Sequence, residues 1–207
     1  MVCLKIIRCG SKHITGVADI FSFAFAESIE FFVPKNSLIK EAVTDIFLML
    51  HHAMDDGFLV AVDDNGTVQG YIVVSGSIRR LWKDALLSGY VFRSLYRWLT
   101  GSYGMGPAPV LKVVRNKLFY IGFEMGTGSA GQILSIAVHP DCRGKGIGRA
   151  LVDRGLNLLK SSGVSTVKLE VRPENNAALK IYSECGFVEK GRTRDLQGEW
   201  IIMQLDE

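Results

Sequence analysis

The 207-residue chain is poor in several things at once. Its 4 cysteines, Cys3, Cys9, Cys142 and Cys185, fall in no spacing that would ligate a metal or staple a disulfide scaffold. They read as free thiols of a reducing compartment. With 5 prolines, no low-complexity tract and no internal repeat, the chain is neither a Pro-rich linker nor a solenoid or propeller. No apolar run approaches the roughly 18–20 residues of a membrane span. Residues 1–10 lack the apolar stretch and small-residue cleavage site of a secretory leader, so the expected location is cytoplasmic. Net charge is also scarce, +3 from 24 Lys+Arg against 21 Asp+Glu. Hydrophobic residues are plentiful at 48%, which excludes wholesale disorder. The length fits a single domain over residues 1–207 with an insertion at about 77–128.

Hydrophobic periodicity and turn residues divide the chain into elements. Val2 to Cys9 is rich in β-branched residues and reads as an opening strand. Helical patterns follow over Ile14 to Glu27 and Ser37 to Met54, where Ile39, Val43, Ile46, Phe47 and Leu50 recur at helical spacing. Pro34, Asn36 and Ser37 supply a break and a cap between them. Phe58 to Val62, Asp63-Asp64-Asn65-Gly66 and Thr67 to Ser75 form a hairpin signal, in which Asn-Gly predicts a tight primed turn. Ile78 to Thr100 predicts one or two amphipathic helices broken near Ser88-Gly89. A Gly/Pro-rich loop covers Gly101 to Pro109, and Val110 to Met125 fits strand or helix equally. Further on, strands are expected at Gln132 to Val138, Thr166 to Val171, Phe187 to Arg194 and Trp200 to Leu205. Helices are expected at Gly148 to Ser161 and Asn175 to Cys185.

One segment carries chemistry. The strand Ile133 to Val138 runs through His139-Pro140-Asp141-Cys142-Arg143-Gly144-Lys145-Gly146-Ile147-Gly148-Arg149 into a helix. A glycine-rich turn at a helix N-terminus is an anion cradle, because unbonded N–H groups and the positive end of the helix dipole converge there. Arg143, Lys145 and Arg149 add charge. The Gly-Lys-Ser/Thr ending of a P-loop is absent, and the glycines do not sit in a first βα turn as a dinucleotide fingerprint would require.

Arg143-x-x-Gly146-x-Gly148 after that strand resembles the acetyl-CoA-binding motif of the GNAT superfamily of N-acetyltransferases. Downstream, Asn175-Asn176-Ala177-Ala178-Leu179-Lys180-Ile181-Tyr182 followed by Gly186-Phe187 is similar to the second motif of that family. The clear resemblance covers Gly131 to Leu205. It implies an α/β (α+β) fold: a mixed, mostly antiparallel sheet with a central split between two parallel strands, flanked by helices. It implies acetyl-CoA as cosubstrate and no metal. The implied cofactor contacts are the backbone of Ile136, Ala137 and Val138 for the pantetheine arm, and Arg143, Gly144, Lys145, Gly146, Ile147, Gly148 and Arg149 for the pyrophosphate. Asn175 matches the family asparagine that contacts the cofactor, and it is equally a good helix N-cap; both roles can hold together. The implied reaction is direct attack of an amine on the thioester. Val138 N–H would stabilise the oxyanion, and Tyr182 would protonate the leaving sulfur. Glu170, twelve residues before Tyr182, is placed like the base of the ribosomal-protein alanine acetyltransferases within the superfamily. Strand alternation puts Glu170 on one face with Thr166 and Lys168, so a plain surface carboxylate is the competing reading. His139 and a water relay are the other candidates for the base.

The small net charge conceals an asymmetry. Ser77 to Lys117 holds eight basic residues (Arg79, Arg80, Lys83, Arg93, Arg97, Lys112, Arg115, Lys117) and one acid, Asp84, for a net +7 that leaves −4 on the rest of the chain. Three readings of this insertion stay open. It can be a lid or homodimer element that packs Leu and Trp inward and solvates its arginines. It can be a site for an anionic acceptor such as a nucleotide-linked amino sugar, since paired arginines suit phosphate. It can be a peripheral contact with anionic membrane through residues 78–100. No recognition motif points to nucleic acid. For the acceptor, a small-molecule amine such as an amino sugar is the first expectation and a protein N-terminal alanine or a lysine the alternative. A non-catalytic acyl-CoA-binding or docking module is the reading from another class.

Overall fold

The computed structural model describes residues 4–33, 38–54, 56–112 and 130–206. The expectations for Met1 to Cys3, for the Pro34 to Ser37 break and for residues 113–128 of the insertion lie outside them. Seven strands form one sheet: β1 (Lys5–Arg8), β2 (Phe58–Val62), β3 (Val68–Ser75), β4 (Gly131–Val138), β5 (Thr166–Val171), β6 (Val188–Asp195) and β7 (Gly198–Asp206). Their order across the sheet is β1-β2-β3-β4-β5-β7-β6. All neighbours are antiparallel except β4 and β5, which are parallel.

Strand alternation sends two apolar sets to two cores. Leu59, Ala61, Ile72, Val74, Val167, Leu169, Val171, Ile201 and Met203 face one side, where α6 (Ile147–Ser161) and α7 (Asn176–Glu184) contribute Leu151, Val152, Leu159 and Tyr182. Phe58, Val60, Val62, Tyr71, Val73 and Ala137 face the other, under α1 (Ile14–Ala24) and α3 (Ile39–Ala53), which supply Ile14, Val17, Ile20, Val43 and Phe47. Gly155 lets α6 lie close to the sheet: a Cβ there would come within 3.0 Å of Val74 Cγ1.

The expected first helix is divided. α1 ends at Ala24, and α2 (Ala26–Phe32) follows across Phe25, whose backbone leaves helical geometry at φ −117° and ψ 26°. The β2–β3 turn is also not the tight primed turn expected. Gly66 has φ +79°, but no residue other than glycine has positive φ among the described residues. Asp63 Oδ1 accepts from the amides of Asn65 and Thr67, both at 2.9 Å, and the register shifts between Ala61 and Val62. The aspartate side chain closes the loop, so asparagine need not enter the left-handed region.

The insertion does form two helices broken where expected: α4 (Ile78–Leu87) and α5 (Tyr90–Leu99), with Gly89 at φ +76° between them. Both pack along α3. Leu81 and Ala85 bury against Ala53, with Leu134 of β4 beside them. The arginines of α5 do not simply solvate themselves. Asp45 of α3 is buried, and Arg97 Nη1 lies 2.5 Å and Arg93 Nη2 3.8 Å from its carboxylate. Tyr103 donates to the same carboxylate at 2.6 Å. Meanwhile Trp82, Leu86, Phe92, Leu95, Tyr96 and Leu99 stand exposed. The reading in which leucine and tryptophan pack inward while arginines face water holds only in part along α5: Trp98 is half-buried and donates to Met105 O at 3.1 Å and Arg93 stays exposed, but Leu95 and Leu99 face water and Arg97 turns to Asp45, because a buried carboxylate demands a cationic partner.

Candidate active site

The sheet opens where its two parallel strands meet. β4 and β5 pair only at Gly131–Val167 and Gln132–Lys168. Beyond that point β4 bends. Val73 and Val74 of β3 sit opposite Ser135 and Ile133, leaving Leu134 as an extra residue, and such a bulge twists its strand out of register. The result is a fork open toward Val138 and Val171.

Backbone groups line the β4 side of the fork. His139 N–H donates to Gln69 O at 2.8 Å, which makes Gln69–His139 a hydrogen-bonded pair. Bonded pairs alternate in an antiparallel ladder. Tyr71–Ala137 is therefore the next bonded pair, while Gly70–Val138 and Ile72–Ile136 are not bonded. The N–H and C=O groups of Ile136 and Val138 point away from β3, into the fork. Those of Ala137 point to β3, and its side chain is buried under α1. Of the three residues expected to hold a pantetheine arm, two turn their backbone toward the fork and Ala137 does not.

Behind Val138 the chain makes a short 3-10 turn over Pro140–Cys142, entered through His139. The glycine loop follows. Gly144 and Gly146 have φ +75° and +77°, and a Cβ built on either would meet nothing within 4 Å. A side chain here would be strained and would occupy open space in front of the loop. Gly146 is the N-cap of α6 and has no side chain to accept from the first amides, so Ile147, Gly148 and Arg149 present N–H groups outward. This open cradle of donors at the positive end of α6 fits a pyrophosphate. Gly148 has a further role: a Cβ there would lie 3.3 Å from Ile181 Cδ1, so it sets how closely α6 approaches α7.

The basic side chains are placed unevenly. Arg143 Nε donates to Val138 O at 3.3 Å, folding across the end of β4, and Lys145 Nζ donates to Asp141 O at 3.0 Å. Arg149 turns sideways. Its Nε donates to both oxygens of Asp153 at 3.0 and 3.1 Å, and its Nη1 lies 3.3 Å from Glu184. The Glu184 contact ties α6 to α7, and the Asp153 hydrogen bond within α6, first among the causes, pushes the guanidinium further up.

Tyr182 lies on α7, on the α6 side of the sheet, with its ring edge-on to Phe187 at 5.9 Å. Burial pushes its phenol up to about 12, helped by nearby Cys185, so it keeps its proton at neutral pH. Asn175 Oδ1 accepts from Ala178 N–H at 3.2 Å, which makes it the N-cap of α7. Glu170 follows the expected alternation: Val167, Leu169 and Val171 are buried and Thr166, Lys168 and Glu170 are half-buried on the opposite face. It stands opposite Ile202 of β7. Tyr182 and Glu170 thus belong to opposite faces of the sheet at its open fork. His139 Nδ1 accepts from Asp141 N–H at 3.4 Å and its ring meets Phe23 of α1 at 5.9 Å, so it serves the turn after β4.

Two features escaped the sequence. The bulge at Leu134 has no local signal, since it depends on which partner β4 takes. Arg172, just past β5, stacks over Trp200 of β7 at 3.8 Å, with Asp195 3.9 Å from its other side. The Val171–Ile201 register brings these residues opposite one another. Trp200 Nε1 is buried without a hydrogen-bond partner among the described residues.

The chain is similar to known proteins. A sequence model of the Acetyltransferase (GNAT) family matches residues 24–187. A mycothiol acetyltransferase of Beutenbergia cavernae is 42% identical over 59 residues, which are 28% of this chain and 20% of that protein. The ribosomal protein bS18 alanine N-acetyltransferase of Escherichia coli is 44% identical over 57 residues, 28% of this chain and 38% of that protein. The chain therefore matches well under half the length of either relative. Among solved structures, Ard1 from Thermoplasma volcanium superposes with a TM-score of 0.61 at 20% identity, over 98% of this chain and 97% of that one. YncA from Salmonella typhimurium, solved with its cofactor acetyl-CoA, gives 0.61 at 15% identity, over 98% and 93%. At these identities the structures share the fold.

Proposed function

The chain belongs to the GNAT acetyltransferase family, and on that premise we propose that it moves an acetyl group from acetyl-CoA to a primary amine by direct attack. One observation carries this reading: the β4–β5 fork receives the backbone donors of Ile136 and Val138, with the glycine cradle of α6 behind them. Acetyl-CoA supplies an activated thioester. The amides of Gly146, Ile147, Gly148 and Arg149, with Arg143 and Lys145, hold its pyrophosphate. Gly144 keeps the approach open. Ile136 and Val138 hold the pantetheine arm, and Ala137 contributes by fixing β4 against β3. Val138 N–H, set in advance by the ladder, stabilises charge that develops on the thioester oxygen. Tyr182 holds a proton for the departing sulfur, and its raised pKa keeps that proton available. Glu170, on the opposite face, receives the proton from the incoming ammonium, directly or through water. Asn175 shapes the N-terminus of α7 and so the position of Tyr182.

The acceptor we favour is a small-molecule amine, in keeping with the match to a mycothiol acetyltransferase. Phosphate on that acceptor gains no support from Arg93 and Arg97, which face Asp45. A protein N-terminal alanine is the second reading, favoured by the position of Glu170 and the match to the bS18 alanine enzyme. The test is release of free CoA thiol from acetyl-CoA, measured over amino sugars, simple amines and alanine-initiated peptides. Turnover on one class assigns the acceptor. Failure of acetyl-CoA to bind in calorimetry overturns the whole reading.

A further inference from the structure

The solvent side of the inserted helices is unusual for a protein surface. On α5, Phe92, Leu95, Tyr96 and Leu99 recur at i, i+3, i+4 and i+7, the spacing of a buried stripe, yet they face water. Phe92 is 65% exposed, Tyr96 68% and Leu99 70%. Trp82 and Leu86 of α4, which packs against α5, are exposed as well. The stripe faces outward because the opposite side of α5 is committed: Arg93 and Arg97 reach Asp45, and Val91 joins the small core around Leu81 and Ala85. An exposed apolar stripe of this kind marks an interaction surface.

The charge around the patch selects the partner. Ser77 to Lys112 carries six basic residues and one acid, Asp84. Asp45 answers only part of that excess. Exposed Lys83 and Arg80, whose side chain is 72% exposed and lies 3.6 Å from Asp84, are on α4, and Arg93 on α5 stays 52% exposed although it lies 3.8 Å from Asp45. A second copy of the chain would set two such cationic faces against each other. An anionic lipid surface complements both features at once: its acyl boundary takes Phe92, Leu95, Leu99 and Leu86, its interface suits Trp82 and Tyr96, and its head groups attract the basic residues. No helix among the described residues is long and apolar enough to cross a membrane, so the contact is peripheral. We infer that the outer face of the α4–α5 hairpin docks the protein onto anionic membrane.

Flotation of the full chain with vesicles tests this, comparing phosphatidylcholine alone with phosphatidylcholine mixed with phosphatidylserine. The protein floats with the mixed vesicles and releases at high salt. Phe92→Glu with Leu95→Glu lowers the bound fraction at least about tenfold. Arg80→Glu with Lys83→Glu lowers it by a similar factor. Both double variants retain the circular-dichroism spectrum and the thioester-cleavage rate of the parent, since none of the four residues belongs to the fork. Equal flotation with neutral and mixed vesicles, or none with either, overturns the inference. So does a dimer, seen by light scattering, that Leu95→Glu dissolves in the absence of lipid binding.

Discussion

Tyr182 keeps its proton because its ring is buried among Phe187 and the core of the α6 side, where a phenolate would lack water. A group held protonated near a leaving thiolate lowers the barrier to its departure and contributes little to binding. Tyr182→Phe is therefore expected to reduce kcat by about 10²–10⁴-fold while acetyl-CoA affinity changes little. Steady-state rates beside calorimetric titration separate the two, and unchanged kcat at saturating substrate removes Tyr182 from the mechanism. Glu170 is on the other face of β5, where the alternation of Val167, Leu169 and Val171 leaves it. Glu170→Gln should abolish the acidic limb of the kcat/KM pH profile, because that limb reports protonation of the base. A limb that persists assigns the base to His139 or to water.

At the scale of elements, the fork and the insertion depend on single unusual features. The bulge at Leu134 separates β4 from β5 and turns Val138 into the opening. Asp45 fastens α5 to α3 by one carboxylate that serves Arg97, Arg93 and Tyr103. Asp45→Ala removes the acceptor of the buried Tyr103 hydroxyl, whereas Arg97, partly exposed, can turn to water. The expected cost is about 1–3 kcal/mol, and it should fall mainly on the insertion. Hydrogen exchange would show faster amides in α5 with the strands of the sheet unchanged; loosening of β2 and β3 to the same degree would contradict this account. Repeats of apolar spacing revealed α4, α5, α6 and β5 with ends close to those observed. They did not reveal the break at Phe25, because Val17, Ile20, Phe21, Ala24 and Phe25 keep the helical spacing across it and local periodicity is blind to where a helix must turn over its neighbour.

For the whole molecule, stability should depend on pH through two histidines. His13 is buried and its Nδ1 accepts from Gly10 N–H at 2.9 Å, a bond available only to the neutral ring. Burial, then Lys12 and His51, lower its pKa below the ordinary 6.5. His51 is lowered by burial and by His52. The unfolded chain takes up protons near pH 6.5 while the folded chain resists, so stability present above that pH is lost as pH falls below it. The thermal midpoint should therefore decline between pH 7 and 5. His13→Leu should flatten the decline while lowering the midpoint at pH 7, since Gly10 N–H loses its acceptor. A decline of the same steepness in that variant would place the effect elsewhere.

Sequence alone determined the parts whose physics is local. The glycine run after Val138 must form an open turn, since only glycine takes the φ of +75° and +77° found at Gly144 and Gly146 without strain. The order of motifs from Arg143 to Phe187 determined the family, and strand alternation determined the face of Glu170. Tertiary structure decided what depends on distant partners. It aimed Ile136 and Val138 into the fork and Ala137 away, because the hydrogen-bond parity of β4 is set by β3. It brought Glu184 to Arg149, and it gave the arginines of α5 to Asp45. The net charge of the insertion was countable from the start; which face of α5 turns inward was decided by one buried carboxylate on α3, 52 residues before Arg97.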